Sequence, residues 1–517
     1  MVSVPLNYVA GVRVAGIRIK RRHVLVLVSL LVGWLIVSAL VFGDAKIDFA
    51  SGVVSFACFA LLAVMILLPV SVRWGGKGVE GRFTVAPVVF LHFVYFLIAP
   101  LVSLLFSAYA PFNEDSSLNL WPTSLLILAV GFYMLHRGIW FSRRRSRTVH
   151  QGTARANAVV PPAFFFSLAT LTVLRFLLLE KGLGITHAPS LLEHDRNLDT
   201  WAVVAGALAY VPLSLCLAKL FRSADSSLSG SLADLKRWRS LLVFVVAFDC
   251  LYYLLIGFRL GLLWEFVVLL WVGWSRPGCI PRKFVVWGLV AMSAAIPAAY
   301  AQRLALREMN PNPGENQVSF VRSMLPVAAG LGSQSVWSST IEGLSGDAAY
   351  RLDSLNFFAR VAYQHFEKHR VLLLGSTWGH AVPLIIPHWL WPSKPAAEAS
   401  DEVDEMIDEH FGLPPTDDNK TTETEVFANF GVSGLWIWMF IYGVIAGKLA
   451  MGLAKSPLRE STVFLILCVM PVFFRIEIET PTVLAGLRLP LLIWWVLWLA
   501  DRRQPVPRAS EGLAVAQ

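Results

Sequence analysis

The residues best equipped for chemistry in this sequence are arginines at the ends of long apolar runs. Arg259 lies in a tight Gly257-Phe258-Arg259 turn between two such runs, and Arg475 closes a third. Arg488 sits inside the last run near its start, Arg175 lies in the second half of the run 160–179, and Arg303 and Arg307 follow the run 284–301. A guanidinium keeps its charge at any working pH, and its planar fork matches two oxygens of a phosphate or diphosphate without a metal. For the group, an anionic substrate at one membrane face is the expected partner. For any single arginine, the alternative is snorkelling to lipid headgroups or pairing with Glu180, Glu477 or Glu479.

Other ionisable residues are fewer and more scattered. Asp353, two residues after Arg351, is a candidate working carboxylate, with a helix-surface ion pair as its structural alternative. His365, His369, His380 and His388 are spread over one hydrophilic region. His388 lies in an apolar run just before Trp389, where an acid/base role competes with a structural one. The acidic run Asp401, Glu402, Asp404, Glu405, Asp408, Glu409 reads as a solvated loop face, since it lacks the Asx-Gly spacing of a calcium loop. No Walker loop, dinucleotide fingerprint, nucleophile elbow or zinc helix is present.

The elements that must position these groups are membrane spans. Of the 517 residues 56% are hydrophobic and only 15% charged, and mean hydropathy is +0.61. A soluble domain carries roughly a quarter charged residues, so this chain must turn apolar surface toward lipid. The apolar residues come in unbroken blocks, as bilayer-crossing helices of roughly 20 residues require, and not in the alternation of a membrane barrel. Candidate spans are 24–43, 52–72, 84–107, 121–141, 160–179, 202–221, 240–257, 260–275, 284–301, 426–450, 461–475 and 483–500.

The segments between them alternate in character. Basic segments are 73–82, 142–158, 222–239, 276–283, 451–460 and the tail with Arg502 and Arg503, whereas 44–51, 108–120 and 180–201 are neutral or acidic. With about twelve spans every basic segment falls on one side, which places both termini in the cytoplasm. The net charge of +9 is therefore topological, and no nucleic-acid partner is expected. Arg18, Lys20, Arg21 and Arg22 precede an apolar run from Val24 to Phe42 that is too long for a signal-peptide core, so it is expected to stay as the first span. Cys58, Cys216, Cys250, Cys279 and Cys468 show no metal-ligand spacing and suggest no disulfide framework.

Three regions follow: 1–301 with nine spans, 302–425 as one large outer loop, and 426–517 with three spans and a cytoplasmic tail. A loop of about 120 residues in a compact chain is usually functional. Within it, 350–370 has apolar residues near helical spacing, and 371–391 is apolar and aromatic, broken by Gly375, Gly379, Pro383 and Pro387.

Several strings in this loop resemble the oligosaccharide repeat-unit polymerases, the Wzy-type O-antigen and exopolysaccharide polymerases. They are Arg351-Leu-Asp353-Ser-Leu355, the run Ile386-Pro387-His388-Trp389-Leu390-Trp391-Pro392-Ser393-Lys394-Pro395, and Thr424-Glu425-Val426-Phe427-Ala428-Asn429-Phe430-Gly431. The turn Gly257-Phe258-Arg259 resembles the family's Gly-x-Arg turn. One departure is His388, which stands where that family usually has Arg.

The resemblance implies an all-α polytopic membrane protein with about 12 transmembrane helices and one large periplasmic loop containing short helices, a GT-C-like glycosyltransferase architecture in the bacterial inner membrane. It implies metal-independent, inverting glycosyl transfer with no cofactor, between an undecaprenyl-diphosphate-linked glycan donor and a lipid-linked acceptor, in O-antigen (lipopolysaccharide) or exopolysaccharide biosynthesis. A chain-length regulator is the accessory partner it suggests. Asp353 and Glu425 are the candidates to take the acceptor proton. Arg259, Arg351 and Arg475, with Arg488 and Arg303 behind them, are the candidates for diphosphate, and His388, Lys394 and Asn429 complete the substrate-binding set. Trp378, Trp389 and Trp391 would line a groove between lipid and sugar. An O-antigen ligase or another lipid-linked glycosyltransferase shares this plan, and a flippase or secondary transporter is the non-enzymatic alternative. The latter would draw on Asp249 and Glu265, the main acids within the spans.

Overall fold

The computed structural model of the chain describes residues 12–14, 17–19, 49–67, 92, 94–98, 100, 121–144, 162–180, 196–225, 232–256, 261–265, 267–268, 286–288, 290–291, 295, 297–298, 301, 338, 354–379, 386, 391, 406–413, 421–454, 460–474 and 480–503. Apart from a two-stranded antiparallel ribbon, β1 (Val12–Val14) and β2 (Ile17–Ile19), the long described elements are helical. They are α1 (Phe49–Leu67), α2 (Trp121–Arg144), α3 (Pro162–Glu180), α4 (Arg196–Asp225), α5 (Leu232–Leu255), α6 (Ser354–Phe366), α7 (Thr422–Ala454), α8 (Glu460–Phe474) and α9 (Thr480–Arg503).

Among the described residues, five stretches are long and apolar enough to cross a membrane: Trp121–Ser142, Pro162–Leu179, Val204–Phe221, Ala233–Leu255 and Thr422–Leu449. They fall on five of the runs read from sequence. Ala57–Leu67, Glu460–Val469 and Gly486–Leu499 are shorter apolar helices on three more. The run 24–43 lies outside the described residues, and 84–107, 260–275 and 284–301 are described only in pieces. The chain is a helical, membrane-embedded protein.

The most extensive helix pairing is α2 with α7, and its register shows that the two run parallel. Trp436 Nε1 donates to the Ile127 carbonyl at 3.1 Å. Further along both chains a Cβ on Gly131 would touch Met439, one on Gly443 would lie 2.1 Å from the Leu135 oxygen, and one on Gly447 would lie 2.0 Å from Ser142 Oγ. Gly138 faces back, with the Phe440 oxygen 2.1 Å from where its Cβ would be. Between membrane helices no hydrophobic drive exists beyond what lipid already offers, so association depends on close backbone approach. Gly443 and Gly447, four residues apart, and Gly138 opposite them supply that approach.

α1 covers the other side of α2, with Phe59 and Trp121 rings 6.3 Å apart. A second group is built on α4, which packs against α3, α5, α8 and α9. Its apolar window is 67% buried, against 22% for α3, so α4 is the inner helix and α3 the outer one. Phe165, Phe166, Val173, Phe176 and Leu177 of α3 are exposed, as expected of a face toward hydrocarbon. Lys219 near the end of α4 meets Glu460 at the start of α8 at 3.6 Å, a partly exposed pair that fixes how those two ends meet.

α6 confirms the helical spacing read over 350–370. Its Leu355, Phe357, Phe358, Ala359, Val361 and Ala362 are buried against the 94–98 turn, α2 and α7. This helix is thus part of the core. Phe411 and Ile407, at the end of the acidic run, are also fully buried, and Asp408 is 4% exposed. That part of the run departs from the expected solvated face, because the helical turn 406–411 puts Ile407, Asp408 and Phe411 inward while Glu409 stays outside.

The seam between α2 and α7 gives a sharp contrast. Gly443→Ala places a methyl against backbone that cannot yield and is expected to cost about 3 kcal/mol, seen as lost yield and a lower Tm in detergent. Gly486→Ala in α9, with open space around its Cβ, is expected to leave both unchanged.

Candidate functional site

The site begins with a backbone break. α7 is helical on both sides of Gly431, but Gly431 itself has φ 65° and ψ −159°. A continuous helix would put Glu423 and Tyr442 about 28 Å apart, at 1.5 Å per residue. Instead His92 bridges them, with Nε2 at 3.0 Å from Glu423 Oε1 and its ring 6.1 Å from that of Tyr442. The limb 422–430 therefore folds back toward the limb 432–454. The run 426–450 read from sequence contains this break: 426–430 lie on the returning limb and 432–450 on the long one.

The returning limb is short, and its ends are satisfied separately. Thr421 caps the start, its Oγ1 accepting from the Thr424 N–H at 3.2 Å. At the other end the carbonyls of Ala428 and Asn429 would be orphaned by the break. They accept from the N–H groups of Leu373 and Leu374 at 2.9 and 3.0 Å, so the loop segment 372–375 caps the limb. Two glycines allow this crossing. A Cβ on Gly375 (φ +89°) would meet Phe430 at 3.2 Å, and one on Gly431 would meet Leu372 at 3.1 Å.

Side chains tie the same crossing from within. The Gly375 N–H donates to Asn429 Oδ1 at 3.0 Å. Asn429 Nδ2 donates to Thr377 Oγ1 at 2.7 Å and to the Glu425 carbonyl at 2.8 Å. Thr377 Oγ1 passes its own hydrogen to Glu425 Oε1 at 2.8 Å. All three side-chain partners are fully buried. Around them, Trp378 stands edge-on to Phe430 and Trp438, at 5.1 and 5.6 Å between ring centroids. Ser376 Oγ and Trp378 Nε1 are buried without a hydrogen-bond partner among the described residues. Deeper along the limb, the His92 and Glu423 side chains are also buried, and Glu423 Oε2 has no partner there. The arrangement is a carboxylate that accepts from a hydroxyl, itself held by an amide, beside aromatic faces and further buried polar groups.

Of the residues read from sequence, the structure brings Glu425 and Asn429 together. Arg488 is exposed on α9. Asp353, Arg259, Arg303, Arg351, Arg475, His388 and Lys394 lie outside the described residues, as does Trp389. Arg175, read from sequence as one of a group facing an anionic substrate with snorkelling or pairing as the alternative, donates from Nη1 to Asp249 Oδ1 in the interior.

Three partners in this site were not singled out from sequence: Thr377, His92 and Glu423. For His92 a signal existed, since it is an ionisable residue in the middle of the apolar run 84–107. Thr377 carries no such mark, because its role depends on a contact between positions 48 residues apart. No family model, curated protein or solved structure matches the chain.

The hydroxyl is the centre of the network, so its removal is informative. Thr377→Val keeps the shape but removes the hydrogen bonds of Thr377 to Glu425 Oε1 and Asn429 Nδ2, at an expected cost of about 1–3 kcal/mol. Thr377→Ser should restore most of that. Thermal unfolding of the three proteins in one detergent checks the order.

Proposed function

We propose that the protein polymerises undecaprenyl-diphosphate-linked oligosaccharide repeat units at the periplasmic face of a bacterial inner membrane, in O-antigen or exopolysaccharide biosynthesis. The observation that carries the reading is the buried Glu425 carboxylate, which accepts from Thr377 Oγ1 while Asn429 Nδ2 holds that hydroxyl and the Glu425 backbone carbonyl. The motif resemblance drew attention to Glu425 and Asn429 from sequence alone, and their hydrogen-bonded association supports it.

In this reading the acceptor hydroxyl attacks the anomeric carbon of the donor glycan from the face opposite the diphosphate. The new glycosidic bond forms as the bond to the diphosphate oxygen breaks, with inversion. The hydroxyl proton passes to a carboxylate, Glu425 or Asp353, and undecaprenyl diphosphate leaves with its charge met by arginines. Arg259, Arg351 and Arg475, with Arg303 and Arg488, are the candidates for that charge. Trp378, Phe430 and Trp438 offer faces on which sugar rings can stack. A second reading, ion-coupled export of the lipid-linked glycan, is favoured by the buried charges of Arg175, Asp249 and Glu265, since ionisable groups inside a membrane bundle commonly mark ion pathways.

The lipid-linked glycans of a deletion strain separate these readings. Single repeat units on periplasmic lipid are expected for a polymerase. Full-length chains left on lipid would mean a ligase, and single units held at the cytoplasmic face would mean an exporter. In the complemented strain, Arg259→Lys is expected to cut polymer formation about a hundredfold at normal protein level, because an ammonium lacks the bidentate fork. Wild-type polymer from that variant would remove Arg259 from the diphosphate site.

A further inference from the structure

Away from the Glu425 site, the second helix group contains a polar cluster that glycosyl transfer does not use. Arg175 of α3 is 3% exposed, Asp249 of α5 0%, and Glu265, in the helical turn 261–265, 4%. Arg175 is bound to Asp249 Oδ1 and stacked over Tyr252, with its guanidinium carbon 4.3 Å from the ring centre, and lies 5.6 Å from the centre of Tyr253. Leu262 packs on Cys250, Tyr253 and Leu254, which sets the turn carrying Glu265 beside the helix that carries Asp249. Glu265 is close enough to interact electrostatically with both Asp249 and Arg175.

The other titratable groups facing the cluster are Tyr210 of α4, Cys250, Tyr252 and Tyr253 of α5, and Cys468 of α8. None of these is a cation. Among the described residues, then, one guanidinium faces two carboxylates. Asp249 Oδ2, Glu265 Oε2 and Arg175 Nε are buried with no hydrogen-bond partner. Taking a net negative charge into an apolar interior is costly, several kcal/mol per unbalanced ion even after relaxation. One further +1 charge on these carboxylates would cancel it.

We infer that Arg175, Asp249 and Glu265 form a binding site for one exchangeable monovalent cation, a proton or a sodium ion, with Asp249 Oδ2 and Glu265 Oε2 as its oxygens. Arg175 orients Asp249 through its Nη1, and the Tyr252 ring lies against the guanidinium. The two possible occupants share one chemistry, a single positive charge on carboxylate oxygen, and they respond differently to pH and to salt.

The test uses wild-type protein in lipid nanodiscs and a membrane-permeant carbodiimide, which modifies carboxyl groups only in the protonated form. Peptide mapping after labelling is expected to find the adduct on Glu265 or Asp249, and Glu265→Gln should abolish it at position 265. Labelling that falls as pH rises, with sodium chloride no more protective than choline chloride, assigns the site to a proton. Protection by sodium but not by choline assigns it to sodium. No adduct at either residue from mildly acidic to mildly alkaline pH overturns the inference. So does labelling that neither pH nor sodium changes, since that describes a fixed neutral carboxyl and not an exchangeable site. None of these readouts depends on glycan synthesis, so they stand or fall separately from the polymerase reading.

Discussion

Everything in the first helix group depends on satisfying the carbonyls freed where the chain turns at Gly431. In a lipid-embedded protein an unpaired backbone group has no water to turn to, and each one costs several kcal/mol. The chain meets this by laying the segment 372–375 across the end of the returning limb, so that Leu373 and Leu374 donate to Ala428 and Asn429. That crossing requires glycine at 375 and 431. It also brings Thr377 to Glu425 and Trp378 to Phe430. The polar cluster is therefore a product of the same constraint that ends the limb, and the segment 372–378 completes it.

The rest of the group makes room for that insertion. α6 wedges its apolar face between the 94–98 turn, α2 and α7, and its Phe358 meets Phe427 of the returning limb at 5.0 Å. α2 and the long limb of α7 close together along the glycine seam, which leaves the returning limb as the part of α7 free to carry polar groups. Glu423, on the same limb as Glu425, pairs with His92 from another segment, so buried polarity is arranged along the limb's length.

Much of this was legible in the sequence, for stated reasons. Apolar blocks of membrane length placed α2 to α5 and α7, because length and hydrophobicity alone specify a spanning helix. Helical spacing placed α6. Glu425 and Asn429, four residues apart in a short motif, were marked as site residues and do meet, through Thr377 and the Glu425 carbonyl. What was not legible depends on contacts distant in sequence. Gly431 gave no sign that its turn reverses the chain, since an isolated glycine within a helical run is commonly tolerated. Gly443 and Gly447 show a small-residue spacing, but only the position of Gly138 reveals what they pack against. Arg175 looked like an interfacial residue because its place in the run says nothing about which side of α3 faces Asp249.

The folded-back limb is tested most directly by joining its two ends. In a variant lacking the five native cysteines, Glu423→Cys and Tyr442→Cys can be treated in the membrane with a bifunctional thiol reagent about 10 Å long, and the linked peptides sought by mass spectrometry. The limb as described brings these positions to either side of His92 and predicts an intramolecular link. A straight helix would hold them about 28 Å apart. Two singly modified thiols with no link between them would contradict the fold-back and, with it, the site built on it.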